Sequence, residues 1–467
     1  MELNKLFVAL TAVSALALTA CGSDSDSDSN SDSSNDDSSE VCATVGTLSD
    51  ETYTIDGTDM AICNLSGTIS EDATLTDEYV YRLNGYVTVG NGADEISAVS
   101  DVEEVTLTID AGVQFRSSGR GSLIISRGSN IEANGTADAP ILMASEDYDL
   151  EGQGEWGGLV LQGFAKNNNC GPDMPEVCNV ADEADTGFHG GNDDADNSGS
   201  IQYLIVAEGG YEVAEDQEVN GITMHSVGYG TSIENVMVYG NADDGVEFFG
   251  GAVNVKNLIL VDNGDESIDW DDGYRGNIQF ALVRQGVSNA GDNGIEADNA
   301  GLSNTAEPVS NPMLSNITFQ TAAEGSSFLM RAKVGTQGTL SKVAADNYAS
   351  AFRIANPETS VTLDNVLVEF TGTEASNILR LDDEATEDNI SGWSSTSTSD
   401  TVELGAAFEV TGSESTLAAA TTDESANGST GFFVETNYIG AVAPTVTSAE
   451  NAWWFWASEV IPAAFED

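Results

Sequence analysis

The chain has 467 residues, with 14 Lys and Arg against 78 Asp and Glu and a net charge of −64. That balance excludes a nucleic-acid partner and a chain drawn to anionic lipid by its own charge. Hydrophobic residues still make up 40% and Gly numbers 48, the composition of a folded, Gly-rich, β-rich chain of one large domain or two.

At the N-terminus Lys5 precedes an apolar run from Leu6 to Leu18, of signal-peptide length and short for a bilayer span. Leu18-Thr19-Ala20-Cys21 resembles the cleavage box of bacterial lipoproteins. The resemblance implies a signal peptide over residues 1–20 and Cys21 as the lipidated first residue. Gly22 after the cysteine points, by the same resemblance, to the outer membrane of a Gram-negative bacterium. The expected localisation is therefore lipid-anchored and outward-facing, with the membrane as one partner and any outer-membrane partner protein unidentified. Gly22 to Glu40 contains no apolar residue, so residues 21–40 read as a Ser/Asp-rich tether extended by its own charge.

The remaining cysteines are Cys42, Cys63, Cys170 and Cys178. An even number in an exported chain reads as two disulfides, most simply Cys42–Cys63 and Cys170–Cys178. With His189 and His225 as the two histidines, a His/Cys zinc site is not expected. Residues 41–100, pinned by the first disulfide, are expected to form an N-terminal cap.

Beyond them the chain repeats itself. Ile233, Val255, Ile278, Leu314, Leu340 and Leu363 begin matching short alternating strands, spaced roughly 22–26 residues apart with one longer step. Their shared third position is Asn235, Asn257, Phe280, Asn316, Lys342 and Asn365, expected to form a column of side-chain amides bonding from coil to coil. A second series begins at Ile222, Val246, Ile268, Ile295, Met330, Phe352 and Leu379. Apolar residues hold its first and third places, which point inward under period-2 alternation. The period is too short for a βαβ unit, which takes roughly 30 residues, and suits one turn of strands around an apolar core. Strands at Val105 and Ser122 continue the pattern toward the N-terminus.

These residues resemble right-handed parallel β-helix proteins of the pectate-lyase-like type. They are similar above all to a group of bacterial lipoproteins of unestablished function carrying G-E-W-G-G (Gly154–Gly158), D-N-S-G (Asp196–Gly199) and G-Y-R-G-N-I-Q (Gly273–Gln279). The expected fold is all-β: a single right-handed parallel β-helix over 101–440 with N- and C-terminal caps. The C-terminal cap, 441–467, carries Trp453, Trp454, Phe455 and Trp456, expected to plug the last coil, with a sugar-stacking platform as the alternative.

Two outward columns carry the chemistry. One runs Thr223, Glu247, Asp269, Glu296, Arg331, Arg353, Arg380, and the next His225, Phe249, Asp271, Asp298, Lys333, Ala355, Asp382. Rungs lie about 4.8 Å apart. Like unit charges at that distance repel by roughly 3.5 kcal/mol at a dielectric of 20 and about 1 kcal/mol in water. Glu247, Asp269, Asp271, Glu296 and Asp298 are therefore candidate ligands of calcium, a hard cation that collects carboxylate oxygens. Arg331, Lys333, Arg353 and Arg380 are candidates for a carbohydrate or other anionic ligand. The alternative is that acids and bases compensate one another along the ladder. A second calcium candidate is Asp194-x-Asp196-x-Ser198-Gly199, which matches the first half of a D-x-D-x-[DNS]-G loop but has Ile205 where an EF-hand has Glu.

The pectate-lyase likeness implies calcium held by stacked acids, with Arg331 or Arg353 as the base of a polysaccharide lyase. Polygalacturonase-like enzymes are echoed by Asn241-Ala242-Asp243, Gly264-Asp265-Glu266 and Arg331-Ala332-Lys333, but their G-H-G is absent. Three functional classes follow: a surface binding module, an extracellular lyase or hydrolase, and a structural or adhesive lipoprotein.

Overall fold

The computed structural model describes residues 38–466 apart from 56, 183, 215–216, 287–291, 301–302, 322–327, 373–377 and 394–399. Cys21, the segment 1–20 and all but the last residues of 21–40 lie outside the described residues.

The expected register holds strand by strand. Ile233 pairs with Val255, Val255 with Ile278, Ile278 with Leu314, Leu314 with Leu340 and Leu340 with Leu363, all in parallel. In the second series Ile222 pairs with Val246, Val246 with Ile268, Ile268 with Ile295, Ile295 with Met330, Met330 with Phe352 and Phe352 with Leu379. The chain is an all-β right-handed parallel β-helix. Ile222, Met224, Val246, Phe248, Ile268, Trp270, Ile295, Ala297, Met330 and Phe352 are buried in one continuous core. That follows from the alternation, since positions i and i+2 of a strand share a face.

Each long strand turns a corner at its third position. Asn235, Asn257, Phe280, Asn316, Lys342 and Asn365 all take positive φ, between 55° and 63°. The ladder skips them, running from Glu234 paired with Lys256 to Val236 paired with Leu258. Three strand segments per coil result. Asn recurs at the corner because its short side chain tolerates the left-handed conformation, and Phe280 and Lys342 adopt it at the same register position. The expected amide column is realised at one step among the described residues, Asn257 Nδ2 donating to Asn235 Oδ1 at 3.0 Å.

Both disulfides form as expected, Cys42–Cys63 and Cys170–Cys178. The helix Ser38–Val45 places Cys42 and Val45 against the core. The strand Thr47–Ile55 pairs antiparallel with Thr58–Ile69, which itself pairs in parallel with Tyr79–Val89. Parallel coils thus begin inside the 41–100 segment.

The C-terminal aromatics sit elsewhere than on the last coil. Trp454 and Trp456 pack laterally on Leu142, Ile205, Met237, Ile259 and Leu282, outward-facing residues of mid-solenoid strands. Strands such as Leu258-Ile259-Leu260-Val261 are apolar on both faces, so their outer face needs a cover, and the C-terminal segment provides it. It is the end of the inner core that Trp393 meets, edge-on to Phe352 at 5.2 Å. On its way the C-terminal segment runs as a strap along the strand stretches at and just before the corners. Asn427 Nδ2 donates to Asn254 Oδ1 at 2.8 Å, Val434 N to Gln279 Oε1 at 2.8 Å, and Asn316 Nδ2 to Tyr438 O at 3.0 Å. Lys342, with no side-chain exposure, pairs with Asp423 at 2.7 Å, whose carboxylate also accepts from Ser315 and Ser341.

Candidate functional site

Parallel register brings the outward column together as the spacing predicts: Glu247 beside Asp269, Asp269 beside Glu296, Glu296 beside Arg331, Arg331 beside Arg353, Arg353 beside Arg380. In a parallel solenoid the turns stack as well as the strands, so the acids preceding each rung join the column. A cleft of about 640 Å³ results, lined by Glu218, Asp243, Asp244, Glu247, Asp265, Glu266, Asp269, Glu296 and Arg331. Within it the carboxylate oxygens of Asp244, Glu247 and Asp269 lie within 4.8 Å of one another. Asp243, Asp244 and Asp265 meet the same limit, as do Asp265, Glu266 and Asp292.

Amides close the ends of this acid ladder. Asn220 Nδ2 donates to Glu247 Oε2 at 2.5 Å and Asn293 Nδ2 to Glu266 Oε1 at 2.6 Å, while Glu266 N donates to Asp244 Oδ1 at 2.9 Å. Burial and the neighbouring carboxylates push these acids upward. Asp244 is driven well above the usual range by burial, then by Asp269 and Glu247. Asp243 and Asp269 rise to about 7 and Glu266 to about 9, burial leading in each case and acidic neighbours adding to it. Asp271 and Asp298, in the neighbouring column, rise to about 7 and about 8 by burial and adjacent acids.

The basic rungs are not free. Glu296 accepts from Arg331 at 3.0 Å and from Lys333, which also lies 3.2 Å from Asp298. Arg353 and Arg380 share Asp382, each at 2.9 Å. Compensation along the ladder therefore operates at the Glu296 end and beyond. Asp244, Glu247 and Asp269 bring their carboxylate oxygens together in the cleft, and Lys333 acts on Asp269 too; their hard oxygen donors suit a divalent cation. Asp271 faces the neighbouring column, outside the lining of the cleft.

The Asp194–Ser198 loop is built differently. Asp194 lies between Lys166 at 2.8 Å and a two-pronged contact from Arg275 at 3.1 and 3.0 Å, and these cations hold its carboxyl below the usual range against the effect of burial. Asp196 is half-buried, and desolvation of its carboxylate pushes it up to about 7, while Ser198 is buried with its N–H on Thr231. The motif residues shared with the lipoprotein group also serve the fold. Trp156 is in the core with Nε1 on Ala207 O, and Tyr274 stacks on Phe248 at 4.2 Å.

Asp243, Asp244, Asp265 and Glu266 are cleft residues that the strand columns miss, and Asp292 lies beside Asp265 and Glu266. Their signal is in the repeated phrases themselves, D-D-G-V-E, D-E-S-I-D and D-N-G-I-E, two and three residues before each core rung.

Fold and cleft together define a parallel β-helix with an acidic groove running across its coils. The chain belongs to the pectate-lyase-like β-helix domain family, whose model matches residues 67–427. That fold is compatible with polysaccharide-related roles. No curated protein and no solved structure matched the chain.

Proposed function

We propose that this chain is a lipid-anchored, outward-facing binding module of the outer membrane. Its cleft takes calcium on Asp244, Glu247 and Asp269, and through it a carbohydrate or other anionic ligand. The observation that carries the reading is the convergence of those three carboxylates, whose oxygens lie within 4.8 Å of one another in the cleft. Calcium suits the site because every donor is a hard oxygen, and its charge offsets the repulsion among the crowded carboxylates. Arg331, in the same cleft, supplies a cationic rim for an anion bridging to the metal.

Calorimetric titration of calcium into the chain tests the proposal, followed by acidic polysaccharides with and without calcium. Saturable calcium binding that Asp269→Asn weakens, with polysaccharide retained only in calcium, is the expected result. Calcium heats no larger than dilution at neutral pH would sink it.

A second reading, a polysaccharide lyase, is favoured by Arg331 lying beside the same acids. Arg353 is held by Asp382 and does not line the cleft. A guanidinium donating to a carboxylate is better suited to hold an anion than to remove a proton. Calcium-dependent growth of unsaturated-sugar absorbance, lost in Arg331→Ala, would move the assignment to a lyase.

A further inference from the structure

Arg116 stands on the strand Gln114–Ser117, remote in sequence from the acidic cleft, and is 3% exposed. Its guanidinium lies between two tyrosine rings, 4.3 Å from the centroid of Tyr148 and 5.3 Å from that of Tyr53. Nη1 donates to Phe115 O at 2.9 Å and Nη2 to Gln114 Oε1 at 2.7 Å, while Nε has no partner. Arg82, Arg275, Arg331, Arg353 and Arg380 each pair with a carboxylate. Among the described residues Arg116 has none within salt-bridge distance, in a chain whose net charge is −64. A guanidinium carries five donors, and a buried cation with unused donors calls for a counter-ion. The tyrosine faces offset part of that cost and hold the guanidinium plane still.

Beside it is a cavity of about 670 Å³ between the N-terminal hairpin and the C-terminal segment. That volume lies in the range of small-molecule sites. Ile55, Pro140, Leu142 and Val460 give it an apolar wall, and Asp138 and Glu459 also line it. Those two acids oppose multiply charged anions. The planar fork of Arg116 matches the two oxygens of a carboxylate. Gln114, whose carbonyl already orients the fork, is in the same lining.

We propose that this cavity binds a small organic monocarboxylate, its carboxylate on Arg116 and its carbon body on the apolar wall. The site is separate from the cleft and does not depend on calcium. The test uses the full chain in chelator, titrated with benzoate, acetate and benzamide, read by calorimetry and by the Nε–H resonances of the arginine side chains. Benzoate is expected to bind saturably and to shift one arginine Nε–H signal. Acetate, lacking the carbon body, should bind about tenfold or more weakly, and uncharged benzamide not at all. Arg116→Lys keeps the charge but loses the fork, and should weaken benzoate by about tenfold and remove the shifting signal. If that variant does not fold, the benzoate-against-benzamide contrast and the arginine signal in the unaltered chain still decide. Absence of saturable benzoate binding, equal binding of benzamide, or unchanged affinity in a folded Arg116→Lys protein would overturn the proposal. Arg116 would then be a clamp between Tyr53 and Tyr148 alone.

Discussion

On the flank built from Leu204–Ala207, Val236–Tyr239 and Leu258–Val261, the outward side chains are covered by the chain's own C-terminal segment. On the flank built from Val246–Phe249 and Ile268–Asp271, the outward carboxylates are stacked against one another. Both flanks arise from the same stacking, which places like residues side by side at every coil. Stacked apolar residues and amides find partners within the chain, as Ile259 does under the aromatic cluster and Asn254 does with Asn427. Stacked carboxylates cannot satisfy one another while charged. The first flank is therefore covered within the chain, while the second keeps like charges side by side, which is the basis of the proposed calcium site.

Removing the cover should have the largest effect. Trp454 is 2% exposed, stacks on Phe465 at 4.6 Å and donates from Nε1 to Ala407 O. Trp454→Ala is expected to cost about 3–5 kcal/mol in denaturant unfolding, with calcium affinity unchanged in the folded protein. A loss below about 1 kcal/mol would mean that the segment does not stabilise the solenoid. Next comes the strap's ion pair. Lys342→Ala leaves Asp423 without its cation in a buried setting and should cost about 3 kcal/mol. The double variant Lys342→Met, Asp423→Leu should recover most of that, and the same unfolding measurement checks it.

The cleft should answer in the opposite sense. Asp244→Asn removes one charge from a crowded set, so in chelator it should stabilise the protein by about 1 kcal/mol while weakening calcium about tenfold or more. Destabilisation in chelator would show that the Asp244 carboxylate is satisfied without a metal. The pH dependence follows from the same crowding. Asp243 and Asp269 have folded values near 7, above their unfolded values near 4, so the native state holds more protons across that window. Stability in chelator should therefore fall as pH rises from about 4 to about 7, and keep falling to about 9 as Asp298 and Glu266 lose their protons. Calcium affinity should rise over the same window. Melting curves across pH, with and without calcium, would show whether the two trends mirror each other. The smallest effect is expected at Asp194→Asn, where two cations already hold the carboxylate. Calcium stoichiometry should stay the same, and loss of one bound calcium would restore that loop as a metal site.

How much of this was legible is clearest at particular residues. Ile268 and Ile295 could be set side by side from spacing alone because a parallel coil repeats its length, and a match in sequence becomes a match in space. The same holds for Glu247 and Asp269. Asp265 and Asp292 were harder to place. They sit in turns, where alternation gives no facing, and only the coil's closure sets Asp265 in the cleft and Asp292 beside it. The aromatic run at Trp453 was legible as a cover but not as a cover for what. Its target was visible only as unbroken apolar triplets such as Leu258-Ile259-Leu260, which a period-2 reading assigns to the core on one face and leaves unexplained on the other.

By itself, then, the sequence determined the solenoid, its register, both disulfides and the order of charges along the outward column, because each depends on repeat length and alternation. Only the tertiary structure decided which charges neutralise one another, which turns reach the cleft, and where the C-terminal segment lies. Those depend on contacts between residues with no shared period, as Lys342 with Asp423 and Asp194 with Arg275 illustrate, and such contacts exist only once the coils are closed.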